Sequence, residues 1–167
     1  MTEAMNYAVC AILIGSGATA VMDIWTIARK ALFGVPLANY GMVGRWIASM
    51  PRGRFIHHPI SKSPAISGEH FIGWVAHYLV GIAFAAVLLA IWGLEWARHP
   101  ALAPALIVGL GSVAAPFLLM QPGMGSGIAA SKTPNPASAR VQSVMTHGVF
   151  GVGLYAAGEG AKLLLGF

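Results

Sequence analysis

The chain has 167 residues, of which 57% are hydrophobic and 9% charged, and its formal net charge is +5. A soluble domain carries about 25% charged residues, so ten basic and five acidic side chains are too few to hydrate a globule of this size. That excludes an ordinary soluble enzyme and a disordered chain, and leaves an integral membrane protein.

A spanning helix needs about 20 mostly apolar residues. Four segments qualify: Tyr7–Ala28, Phe71–Trp92, Ala101–Gln121 and Val141–Gly158. None alternates with period two, so the expected fold is all-α, four transmembrane helices in a compact bundle within a single domain over 1–167. No Lys or Arg precedes the first run and no small-residue cleavage site follows it, so it is expected to be a retained span. Ala11, Gly15 and Thr19 in the first span, and Ala101, Ala105 and Gly109 in the third, put small residues at four-residue spacing, which lets backbones approach closely.

Between the first two spans, Tyr40–Phe55 interleaves Tyr40, Met42, Val43, Trp46, Ile47, Met50 and Phe55 with Arg45, Arg52 and Arg54. This pattern predicts an interfacial helix on the inner leaflet, or else an ordered loop packed over the bundle. Ser67 and Glu69 supply a cap and an acidic first turn for the second span. Pro100 suits the first turn of the third, and Asn135-Pro136 the start of the fourth.

Charge orients the spans. Arg29, Lys30, Arg45, Arg52, Arg54 and Lys62 lie between spans one and two, and Lys132 and Arg140 between spans three and four, against Arg98 and Lys162 on the other side. Loops 29–70 and 122–140 are therefore expected in the cytoplasm and both termini outside, as in a bacterial inner-membrane protein. Trp92 and Trp96 are expected in the outer aromatic belt, Trp25 and Trp74 near the inner one. His77/Gly81 and His147/Gly151 share a four-residue spacing, and Gly15/Gly17 matches Gly109/Gly111, so a parallel 2+2 repeat is one reading of the topology.

At about 1.5 Å rise per residue, Asp23, His77, Gln121 and His147 fall within roughly 10 Å of the inner boundary, one polar group per span. An ionisable residue at that depth is costly and is a candidate site. The expected contact is Asp23 with His77 or with His147, and Arg140 is expected at the cytoplasmic mouth. Three chemistries remain open: proton relay, ligation of a b-type haem or a metal by His77 and His147, and hydrogen bonds that only pin the bundle. The run Gln121-Pro122-Gly123-Met124-Gly125 predicts irregular backbone, either a gate whose freed carbonyls meet an ion or a flexible exit turn. Met120 and Met124 are weak soft-metal candidates, and His57-His58 reads as a solvated pair. The single cysteine, Cys10, excludes a disulfide framework, and no nucleic-acid motif or nucleophile signature is present.

Met22-Asp23-Ile24-Trp25, Gly44-Arg45-Trp46, Gly73-Trp74, His77-Tyr78, the Gln121–Gly125 run, Lys132-Thr133-Pro134-Asn135-Pro136, Arg140, His147, Phe150-Gly151 and Leu154-Tyr155 together resemble a family of small bacterial inner-membrane proteins known only as a domain of unknown function. The resemblance implies a membrane protein and carries no mechanism. The expectation is a permease-like or proton-coupled protein with its polar site on Asp23, His77, Gln121, Arg140 and His147, gated by Pro122–Gly125. An accessory subunit of a larger membrane complex is the alternative and a haem or metal protein the third. The expected partners are the lipid bilayer and a second copy or larger complex, with no nucleic acid.

Overall fold

The computed structural model describes residues 2–166, and among these the chain is all-α with no strand. The helices are α1 (Glu3–Phe33), α2 (Tyr40–Ser49), α3 (Glu69–Trp92), α4 (Leu94–Arg98), α5 (Leu102–Gly111), α6 (Gln121–Gly123) and α7 (Pro136–Leu165), with a π-helical segment, Pro116–Met120, leading into α6. Three stretches are long and apolar enough to cross a membrane: Glu3–Phe33, Glu69–Trp92 and Leu102–Gly123, with mean hydropathies of 1.7, 2.2 and 2.1. Their outward faces carry large apolar side chains, among them Ile24, Ile91 and Ile107, each about 60% exposed or more. Lipid is the solvent that suits such faces. The fourth expected span lies within α7, a 30-residue helix that is not among those three; Gln142, Thr146, His147 and its glycines dilute its apolar character.

Helix ends follow local chemistry. Thr2 caps α1 by accepting from Met5 N, and Gly34 ends it in the left-handed conformation. The helix thus runs past the expected end at Ala28. Asn135 caps α7 through Ser138 N at 3.2 Å, with Pro136 in the first position, as expected. Glu69 opens α3 and its carboxylate reaches back to Ile66 N at 2.9 Å. Pro100 lies just outside its helix, which starts at Leu102 after an extended Ala101. Pro116 has no N–H to continue the α ladder, and the Gln121 N–H reaches back five residues to the Pro116 carbonyl.

The chain divides into two compact units. The first comprises residues up to Pro36, Tyr78–Ser112, and those from Met145 onward. Its core is apolar, built on Cys10, Ile14, Ala18, Leu88, Leu89, Phe150 and Leu154. Backbones meet at glycines: a Cβ on Gly15 would lie 2.4 Å from Ile82 Cα, and one on Gly109 would lie 2.3 Å from Gly151 Cα. Ala11, Gly15, Thr19, Ala105 and Gly109 of the small-residue rows are buried; Ala101 is exposed. Trp96 departs from the expected outer belt: it is 5% exposed, packs on Gly158 and donates to Ala101 O at 3.1 Å.

The second unit comprises Leu37–His77 and Val113–Val144. Its buried positions are small or polar, including Gly41, Gly44, Ser49, His57, Glu69, Gly73 and Gly123, with Ile60 and Ala130 the apolar exceptions. The loop helix exists, but it ends at Ser49 and is followed by a 3-10 turn, Met50–Arg52. Its glycine face lies directly on α3: a Cβ on Gly44 would be 1.8 Å from Glu69 O, and one on Gly73 1.8 Å from Tyr40 O. Arg45, expected among the interfacial cations, instead turns inward to Glu69.

Candidate functional site

The sequence-expected residues fall in both units. In the first, Asp23 lies on α1 with its Oδ2 accepting from Tyr78 OH at 3.1 Å. His147, on α7, has Nδ1 2.7 Å from Ser112 Oγ. Ser112 has one hydroxyl proton, and its Oγ donates it to Gly109 O at 2.6 Å. With that proton given to the carbonyl, His147 Nδ1–H is the donor to Ser112 Oγ, and Nε2 is the basic nitrogen. Each of these two ionisable side chains is therefore joined to a hydroxyl, a group able to donate or accept.

In the second unit His77 follows the same pattern. Its Nε2 is 3.0 Å from Tyr40 OH, and its ring stacks on Tyr40 with centroids 4.3 Å apart while Trp74 packs edge-on at 6.0 Å. Tyr40 reaches this position because α2 lies so close to the start of α3. The Gln121–Gly125 run is partly helical: Pro122 and Gly123 belong to α6, and the turn begins at Met124. Gly123 is there for space, since a Cβ would meet the Trp46 indole at 2.5 Å. Gly125 and Gly127 have φ of 91° and 75°, the left-handed region. The turn is fastened to the first loop by His57 N to Gly123 O at 2.8 Å and Ile60 N to Met124 O at 2.9 Å. Arg140 is exposed, with Nε donating to Ala129 O at 2.7 Å.

The strongest electrostatic feature was not singled out from the sequence. Arg45 and Glu69 form a bidentate pair, with Nε to Oε2 and Nη2 to Oε1 both 2.8 Å, and Arg45 Nη1 donates to Ser63 O at 2.8 Å. The Glu69 carboxylate raises the Arg45 guanidinium above its ordinary value. Next to this pair, His57 is 7% exposed and its Nδ1 lies 2.9 Å from Ser63 Oγ, whereas His58 is exposed; the pair is not uniformly solvated. The Glu three residues after Ile66, reaching back to its N–H, was the available sequence signal for this network.

Trp25 Nε1, His57 Nε2 and Gln121 Oε1 are buried with no hydrogen-bond partner among the described residues. Buried orphans of this kind are rare, and they can bind a polar ligand or water. Among the described residues no three His, Cys, Asp or Glu side chains group as a metal site.

No curated protein and no solved structure matches the chain. A family model described as "Protein of unknown function (DUF2938)" matches residues 12–160, nearly the whole length and every residue of the candidate sites. The chain belongs to the DUF2938 family, whose function is unknown.

Proposed function

We propose that this chain is a permease-like, proton-coupled membrane protein whose proton-carrying groups are Asp23 with Tyr78 and His147 with Ser112. His77 with Tyr40 forms a further relay element. One observation supports the reading: the carboxylate of Asp23 and the imidazole of His77, on membrane-length helices, and the imidazole of His147, on α7, are each bonded to a hydroxyl. A hydroxyl serves either protonation state, so the ionisable group can exchange a proton and keep its hydrogen bond. In this reading α7 forms a fourth span and the two basic loops face the cytoplasm.

The test is proton flux into vesicles holding the purified protein and a trapped pH dye, under an imposed potential. Asp23→Asn should slow the flux by roughly a hundredfold, the scale of a lost positioned proton donor, with Tyr78→Phe falling in between. Equal flux in wild type, Asp23→Asn and His147→Ala, all folded, would refute the reading and favour an accessory subunit.

A further inference from the structure

The charge of this molecule is segregated. The first unit holds four basic and four acidic side chains, whereas the second holds six basic ones and a single carboxylate, so it carries the whole +5. That carboxylate is Glu69, already taken by Arg45. Arg52, Arg54, Lys62, Lys132 and Arg140 are left, all exposed, with no other acidic residue in the unit. Four of them lie on two loops that the His57–Gly123 and Ile60–Met124 backbone bonds hold together, and Arg140, near the start of α7, reaches back to Ala129 O in the second loop.

Large apolar side chains project among these cations. Phe55 and Ile56 are 58% and 65% exposed, directly after Arg52 and Arg54, while Trp46 Nε1 holds the Phe55 carbonyl at 2.8 Å. Ile128 is 62% exposed beside Ala129 and Ala130, two consecutive alanines at φ of 47° and 59°. Left-handed alanines are strained, and here they are braced by Arg140 Nε on Ala129 O and by Thr133 Oγ1 on Ala130 O at 2.8 Å.

We propose that this loop cluster binds the headgroups of anionic phospholipids, with Phe55, Ile56 and Ile128 entering the acyl boundary and the five cations meeting the phosphates. Charge complementarity selects an anionic partner, and the interleaved apolar tips select a lipid surface over a soluble polyanion. The inference rests on the chain being membrane-embedded, and it is independent of proton transfer.

The experiment uses the full chain in a non-ionic detergent. Phosphatidylglycerol or phosphatidylcholine is added, retained lipid is counted by mass spectrometry, and melting is followed in parallel. Phosphatidylglycerol should be retained in preference and raise the melting temperature. The variant Arg52→Gln/Arg54→Gln/Lys132→Gln should lose affinity by roughly fivefold for each cation removed. Phe55→Ser/Ile128→Ser should weaken retention with charge unchanged, and Lys30→Gln/Lys162→Gln in the first unit should have no effect. Should the triple variant misfold, loss of the preference on wild type between low and high salt replaces it. Equal retention of the two lipids, a preference that survives the triple variant, or equal protection by polyphosphate would overturn the proposal. A protein that stays dispersed without detergent would instead overturn the membrane reading beneath it.

Discussion

Asp23, His77 and His147 are half-buried, and the hydroxyls of Tyr78, Tyr40 and Ser112 meet them. The Ser112 geometry makes a specific claim about His147: its Nδ1 carries the proton. Nitrogen NMR on labelled histidine should report the Nδ1–H tautomer, and Ser112→Ala should shift the population toward Nε2–H; an unchanged tautomer would contradict the assignment. Arg45 and Glu69 make a second claim. Lysine cannot reproduce two parallel N–H···O bonds and a third to the Ser63 carbonyl, so Arg45→Lys should lower the melting temperature by several degrees rather than act as a conservative change. A melting temperature equal to wild type would show that a single point charge suffices. The neighbouring histidines should separate in the same assay. His57→Ala should cost about 1–3 kcal/mol because it strips a buried group bonded to Ser63, whereas exposed His58→Ala should stay within about 0.5 kcal/mol.

At the scale of elements, glycine contacts decide which helices can approach. The Gly44–Gly73 crossing puts α2 and the start of α3 backbone to backbone, and from that closeness come the Arg45–Glu69 pair and the Tyr40–His77 stack. Gly44→Ala and Gly73→Ala should each destabilise by about 1–3 kcal/mol or more, since the atoms a methyl group would meet are main chain and cannot rotate away. Gly111→Ala is the control. Nothing lies within 4 Å of its Cβ position, and removing a glycine from a helix should stabilise by up to about 1 kcal/mol. Thermal melts of the three variants in one detergent check both directions; Gly73→Ala behaving like Gly111→Ala would contradict the crossing. Apolar runs placed the three membrane-length helices from sequence, because about 20 consecutive apolar residues have few other uses. Their ends were harder to place. α1 continues beyond Ala28 because nothing stops it before Gly34, and α5 starts late because Pro100 and an extended Ala101 precede it.

For the molecule as a whole, 57% hydrophobic and 9% charged residues pointed to a membrane chain, since composition settles which solvent a surface suits, and long apolar runs without period-two alternation pointed to the all-α architecture the structure has. The tally of basic residues was equally legible, because charge does not depend on the fold. Partners were not legible. Asp23 meets Tyr78 across 55 positions of sequence, His147 meets Ser112 across 35, and Arg45 meets Glu69 across 24. Spacing along one helix says which residues share a face, but not which residue of another helix lies opposite; that depends on where two glycines let the backbones cross. The same holds for the Gln121–Gly125 run. Its glycines announced irregular backbone, yet only the tertiary structure decided that Gly123 makes room for an indole, that Gly125 turns the chain, and that the turn is fastened to His57 and Ile60. Composition and periodicity are local or summed quantities and can be read from a string. The site is made of long-range pairs, and those exist only once the backbone has packed.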